Sequence, residues 1–331
     1  MNWESLDWEI LDRLRDKFIS GTAAEGPYWH TITDLECYDF TYGERIGWKW
    51  DAVLRELKAR HWTPAGTPGL TLLDWGCGSG IAGRRVIDCF GAENFSRLVV
   101  HDHSALAMDY AEHRAKHAYP QLTVERAEYR MLEGDEPLGL LVISHVLNEL
   151  DDIARAQLAA LCARAACILW VEPGTHDVSR TLGGWREKLQ ATGLNVIAPC
   201  PHQNACGILA EGNERHWCHF FAAPVANIYA DSEWVKFGQR AGIDLRSLPY
   251  SFLVMDRRPP SLHSGFARII GQPRHYKGYA KLYNCDASGV ADLMLQKRDA
   301  PELFKALKHA HEPGLQKWIH ANGRITRVDP A

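Results

Sequence analysis

Leu72-Leu73-Asp74-Trp75-Gly76-Cys77-Gly78-Ser79-Gly80 is the stretch on which the fold turns. An apolar run enters an acidic residue and a G-x-G-x-G turn, and a helical stretch follows at Ile81–Phe90. Glycines let a backbone turn tightly and approach a ligand without a Cβ clash. Outward from there, short apolar runs recur at Leu98–Val100, Leu122–Val124, Leu138–Ser144 and Cys167–Val171. Between them lie helical stretches at Ala105–His117 and Ile153–Ala165. This alternation predicts a parallel sheet with helices on both faces, a doubly wound α/β domain over residues 70–198. Its ligand is expected at the carboxyl end of the first strand.

On the amino side, residues 2–18 and 44–60 space their apolar residues as amphipathic helices. The segment Thr63–Gly69, rich in Pro and Gly, ends that region. Residues 1–69 therefore read as a helical N-terminal extension. After Pro199 the regularity fails. Strand-like runs reappear at Ala267–Ile270, Tyr279–Tyr283 and Val290–Leu295, then a helix at Pro301–His311. Residues 199–331 read as a Cys-rich, β-containing module.

With 331 residues, 46% of them hydrophobic, and 12 Trp, the chain is not a disordered one. No apolar run reaches the ~20 residues of a membrane span. The acidic start, Met1 to Asp7, resembles neither a signal nor a transit peptide, so the expectation is a soluble cytoplasmic protein. The net charge of −4 is uneven: residues 257–328 hold 13 Lys and Arg against 5 Asp and Glu. Such a segment suits phosphate backbones, although a solvated basic face would look the same.

The third glycine comes too early for the G-x-G-x-x-G dinucleotide turn. The form D-x-G-x-G-x-G resembles motif I of S-adenosylmethionine (SAM)-dependent methyltransferases. That resemblance implies cofactor binding by Asp74, Gly76, Gly78 and Gly80, with Asp74 facing the methionine amino group. Asp102 closes the next strand, where an acid can accept from both ribose hydroxyls. The fourth strand ends in Ser144–Asp151, the acceptor side in methyltransferases. His145, Asn148 and Glu149 are its candidate catalytic groups, and helix capping is their plainer role. The [DNS]-P-P-[YFW] motif of amino-group methyltransferases is absent. Glu172, in Glu172-Pro173-Gly174-Thr175, is within reach of the same end.

Nine cysteines in such a chain argue against a disulfide framework. Cys77, Cys89, Cys162 and Cys167 read as small core residues. Cys200, Cys206, Cys218 and Cys285 lie in polar, loop-like sequence. Four thiolates suffice for a [4Fe–4S] cluster or a tetrahedral zinc, with His202, His216 and His219 as nitrogen alternatives. The spacing, C-x5-C and then single cysteines, also allows unligated thiols.

Ala198-Pro199-Cys200-Pro201-His202 with Cys206, Trp217-Cys218-His219-Phe220, and Pro273–Tyr279 before Cys285 together resemble one family. It is the methyltransferase-like proteins associated with the mitochondrial ribosomal small subunit and their bacterial relatives. The resemblance spans roughly residues 40–300. It implies a Rossmann-like class I methyltransferase fold and a [4Fe–4S] cluster on Cys200, Cys206, Cys218 and Cys285. It also implies partnership with the small subunit or its rRNA, and not with membrane or DNA. The chain departs from the pattern after Cys206, where Gly207 stands in place of the usual proline and the stretch to Cys218 is longer. Within this family Arg268, Arg274, Lys277 and Lys281 would meet RNA phosphates, and His275 or Tyr276 would stack on a base.

Three functions fit these residues. One is an rRNA methyltransferase. Another is a non-catalytic assembly factor that keeps the fold and the cluster. The third is a small-molecule methyltransferase with a zinc site, against which the basic C-terminal segment argues.

Overall fold

The structure is a computed structural model, described here over residues 1–20, 29–65, 69–260, 265–309 and 314–329. Part of the Thr63–Gly69 break and the last two residues of the expected 301–311 helix lie outside these. The elements run α1 (Trp8–Ser20), α2 (Ile32–Tyr38), a π-helical turn (Asp39–Gly43), α3 (Glu44–Ala59), β1 (Leu70–Trp75), α4 (Ile81–Phe90), β2 (Phe95–His101), α5 (Ala105–Ala118), β3 (Thr123–Arg126), α6 (Tyr129–Glu133), β4 (Leu138–Ser144), α7 (Asp152–Arg164) and β5 (Ala165–Pro173). They continue as α8 (His176–Gln190), β6 (Asn195–Ala198), β7 (Phe220–Ala222), α9 (Ser232–Ala241), β8 (Leu248–Asp256), β9 (Phe266–His275), β10 (Tyr279–Asp286), β11 (Gly289–Gln296), α10 (Pro301–His309), β12 (Leu315–Ala321) and β13 (Arg324–Asp329). Two compact units result: residues 1–171 with 224–248, and residues 172–223 with 249–331.

In the first unit the strands run parallel in the order β3-β2-β1-β4-β5. Val99, Leu73, Leu141 and Ile168 lie side by side across four strands, each at most 1% exposed. Strands buried on both faces carry continuous apolar runs, which is why the runs are legible in the sequence. The order reverses between β1 and β4. A switch of that kind opens a crevice at the carboxyl ends of the strands.

The amino-terminal helices belong to this unit. Expected from residue 2, α1 starts at Trp8 because the Asp7 carboxylate accepts from the amides of Glu9 (2.9 Å) and Ile10 (3.3 Å). Leu14, Trp29 and Leu35 pack with Ala107 and Tyr110 of α5. A buried ion pair ties the π-helical turn to α4: Arg84 donates through Nη2 to both Asp39 oxygens, at 2.7 and 2.9 Å. Tyr110 adds its hydroxyl at 3.2 Å.

In the second unit β6 runs antiparallel to β8, and β7 also pairs with β8. Beyond them β9 to β13 close a barrel in the order β10-β11-β13-β12-β9. Counted within the barrel this is 1-2-3-5-4, with β11 and β13 parallel and α10 between the third and fourth strands, the topology of the OB-fold. Ile269, Leu282, Leu293, Leu295, Trp318 and Ile325 fill it. The three expected strands form here and extend further than the apolar runs. Strands β12 and β13 were not anticipated, because their sequences LQKWIHA and RITRVD hold about as many polar as apolar residues. Helices α8 and α9 and strand β8 likewise lie outside the elements that the sequence pattern predicts.

The Asp39–Arg84 pair yields a prediction. Asp39→Ala leaves a guanidinium buried without its carboxylate and is expected to cost about 3–5 kcal/mol. Tyr110→Phe removes one hydrogen bond and is expected to cost about 1 kcal/mol. Denaturant unfolding of the full chain measures both, and near-equal small losses would contradict the arrangement.

Candidate functional site

The turn after β1 carries the first site. Gly76, Gly78 and Gly80 have φ of 71°, 50° and 75°, a region costly for other residues. The amides of Gly76 and Cys77 both donate to the His101 carbonyl, at 2.8 and 2.9 Å. A Cβ at Gly76 would stand 2.6 Å from Val146 Cγ1, and one at Gly80 would stand 2.9 Å from Ala111 Cβ. At Gly78 nothing lies within 4 Å, so that backbone faces open space.

Two acids brace the turn. Asp102 accepts from the Gly78 amide (2.9 Å) and the Ser104 amide (2.9 Å). Asp74, 1% exposed, accepts from the Gly83 amide through Oδ2 at 3.0 Å. Its Oδ1 is buried with no hydrogen-bond partner. Burial pushes the Asp74 carboxyl up to about 7, partly offset by the Gly83 amide and by Arg84. A buried carboxylate oxygen with an unmet demand, on the strand that leads into the glycine turn, fits an ammonium group.

At the end of β4, His145 has φ of 57° and donates its amide to the Val171 carbonyl at 2.9 Å. Its Nε2 lies 3.2 Å from Lys49 Nζ, and its Nδ1 lies 3.2 Å from Ser144 Oγ. Trp50 Nε1 donates to the same Oγ at 3.0 Å. Burial, and then the Lys49 charge, hold His145 well below its ordinary value, so the ring is neutral at pH 7. With the ammonium donating to Nε2, the ring proton is assigned to Nδ1. Asn148 is exposed and Glu149 half-buried. Capping of α7 falls to Asp151, whose carboxylate accepts from the Ala154 amide at 2.8 Å.

Lys49 and Tyr38 were not singled out from the sequence. Burial raises the Tyr38 phenol, and the nearby carboxylates of Glu149, Asp39 and Asp102 raise it further, so it stays neutral. Lys49 is one of several polar residues along amphipathic α3, and Tyr38 packs against an apolar cluster like an ordinary core aromatic, so neither gives a local signal.

The second unit brings the four cysteines together. Cys218 lies within electrostatic reach of Cys200, Cys206 and Cys285, and Cys285 within reach of Cys200 and Cys206. Burial raises the thiols of Cys206, Cys218 and Cys285, and mutual repulsion of the thiolates raises them further. Arg186, 2% exposed, bonds Cys200 and donates to the Asn204 carbonyl at 2.7 Å. His202 Nε2 lies 3.5 Å from Cys285 Sγ. Arg180 Nη1 gathers the carbonyls of Ile208, Asn213 and His216 at 2.8–3.0 Å, which shapes the longer stretch before Cys218. A Cβ at Gly207 would press on the Val290 amide at 2.9 Å, so the departure from proline there serves a close approach to the barrel. Among the described residues no three His, Cys, Asp or Glu side chains close into a group for a single metal ion.

Of the basic residues, Arg274, Lys277 and Lys281 are exposed. Arg268 does not share that surface. It is 4% exposed, with its guanidinium 4.1 Å from the Phe220 ring centre. His275 packs edge-on against Phe304, while Tyr276 is 46% exposed.

The parallel order, the glycine turn and the acid at the end of β2 define a Rossmann-like α/β protein of the class I methyltransferase type. The chain belongs to the family described as mitochondrial small ribosomal subunit Rsm22, whose model matches residues 42–312. No curated protein matches it. Among solved structures it is similar to the plantazolicin methyltransferase BamL, at 12% identity over 75% of this chain and 100% of that one, TM-score 0.42. It is also similar to magnesium protoporphyrin IX methyltransferase from Synechocystis PCC 6803, at 13% identity over 75% and 100%, TM-score 0.39. A third is the N-methyltransferase NodS from Bradyrhizobium japonicum WM9, at 13% identity over 66% and 89%, TM-score 0.38. Among the described residues no helix is long and apolar enough to cross a membrane.

Proposed function

We propose that this protein is a SAM-dependent methyltransferase that acts on the RNA of the ribosomal small subunit. The observation that carries the cofactor is the partnerless, buried Asp74 Oδ1. Asp74 would hold the α-ammonium group of SAM, and Asp102 the ribose. Bound SAM supplies an electrophilic methyl group. The chain supplies the rest: Gly76 and Gly80 shape the cradle, and Tyr38 stays protonated as a donor. Neutral His145 and Lys49 handle protons at the acceptor end. The family's tie to the small subunit supports the RNA substrate. The missing acceptor motif favours a second reading, an assembly factor that keeps the fold without methyl transfer.

The cysteine site belongs to the same proposal. Cys200, Cys206, Cys218 and Cys285 would hold a [4Fe–4S] cluster, whose irons supply the positive charge that lets four buried thiolates coexist. A tetrahedral zinc on the same four sulfurs is the alternative.

Three outcomes test this. Methyl-labelled SAM, incubated with the protein and small subunits from cells that lack it, is expected to label rRNA, and Asp74→Ala to abolish the label. Binding without label would establish the assembly factor. Anaerobically purified protein is expected to be brown and to hold about four irons per chain, whereas a colourless protein with one zinc would overturn the cluster. The third outcome is a pH dependence. The Asp74 carboxyl sits at about 7, above its ordinary value, so its contribution to folding stability is present at low pH and fades as pH rises through 7. Binding of an ammonium needs the ionised form, so affinity for S-adenosylhomocysteine should strengthen from about pH 5.5 to 7.5, below the usual amine value near 8. Asp74→Asn should flatten both trends. A calorimetric affinity that falls over this range would refute the role given to Asp74.

A further inference from the structure

We propose that the β10–β11 face of the barrel, with the turn from Tyr276 to Gly278, is a platform for single-stranded RNA. The proposal rests on the reading of the protein as one that works on small-subunit RNA, and it names the form of RNA and the residues that take it. OB-fold barrels bind oligonucleotides on the face of their second and third strands and on the loop between the first and second. Here those are β10, β11 and the 276–278 turn. Topology alone sets only an expectation, so the side chains must carry the argument.

Strand β10 alternates cleanly. Ala280, Leu282 and Asn284 are buried, while Lys281 is exposed and Tyr279 and Tyr283 are half-buried. The register places Arg274 of β9 and Met294 of β11 on either side of Lys281. Tyr276 and Tyr279 stack on one another, ring centres 4.6 Å apart at 14°. The Tyr276 amide donates to the Tyr279 carbonyl at 2.9 Å, and the Lys297 amide to the Gly278 carbonyl at 2.9 Å. The pair is therefore ordered before any ligand arrives, with its outer ring 46% exposed. Further along the strand His216 stacks on Tyr283 at 4.3 Å and 23°, while the Tyr283 hydroxyl donates to Asn213 Oδ1 at 3.1 Å. The exposed Lys277 lies in the turn between the two tyrosines, and the exposed Arg274 and Lys281 are paired across β9 and β10. Asp292 of β11 pairs with Arg274 at 3.1 Å.

Fixed aromatic faces flanked by cations recognise unpaired bases, since every base offers a π-face and the backbone trails along the charges. A duplex hides its base faces within its own stack, and double-stranded RNA is read instead through hydroxyls and phosphates across its minor groove. A stacked tyrosine pair on a segment with three exposed cations matches the first ligand.

The test uses the full-length, anaerobically purified protein and fluorescence anisotropy. The probes are a labelled RNA strand of about 12 nucleotides without self-complementarity, and the same strand annealed to its complement. The single strand is expected to bind at least tenfold more tightly. Tyr276→Ala should weaken it roughly tenfold, and Tyr276→Phe, which keeps the ring, should bind like wild type. Lys277→Gln with Lys281→Gln should lower the slope of log affinity against log salt by about 1.4. Equal or tighter duplex binding, or a Tyr276→Ala variant that binds like wild type, would overturn the platform. Strand binding without methyl transfer would leave the platform standing and count against the methyltransferase. Label on rRNA without strand binding would do the reverse.

Discussion

Two buried carboxylates hold the turn that follows β1, and the first unit is organised around that turn. Asp102 reaches back from the end of β2 to the Gly78 amide, and Asp74 caps the start of α4 through the Gly83 amide. Between them the backbone passes three times through positive φ. That path fixes where α4 begins. Its first turn then presents Arg84 to Asp39, which fastens the amino-terminal helices and with them Tyr38 and Lys49. The cost of a buried carboxylate is visible at Asp74, whose ionisation burial opposes. Such a cost is tolerable where a cationic ligand later offsets it.

In the second unit arginines do comparable work. The chain from Cys200 to Cys218 is short of regular structure, so its carbonyls need partners from elsewhere. Arg180 and Arg186 on α8 accept that task, with three and two carbonyls respectively. Gln203 meanwhile bonds the Val196 amide and carbonyl of β6, at 2.9 and 2.7 Å. The loop is shaped by these hydrogen bonds before any cofactor is considered. Ionising the gathered thiols would then cost both desolvation and mutual repulsion.

Membership of a ribosomal-subunit family and a methyltransferase-type fold together narrow the chemistry without dictating it, because function resides in the site and not in the fold. The end of β4 offers a neutral histidine against a lysine. The backbone there is strained, since a non-glycine residue at φ of 57° persists only where its surroundings require it.

The glycine turn, the sheet strands and α4 were legible because their signals are local. Runs buried on both faces read as continuous apolar stretches, and positive φ reads as glycine. The acids at the ends of β1 and β2 follow from that register. Residues 199–256 and strands β12 and β13 were not legible, because their stability comes from partners distant in sequence. The sequence by itself determined the doubly wound domain, the candidate cradle of Asp74 to Gly80, and a set of four cysteines whose spacing left cluster, zinc and unligated thiols all open. Only the tertiary structure decided that Lys49 meets His145, that Arg268 is buried under aromatic rings rather than exposed, and that the basic segment closes into a barrel. Each of these depends on contacts across tens of residues, up to 96 for Lys49 and His145, and no local pattern of charge or hydrophobicity encodes such contacts.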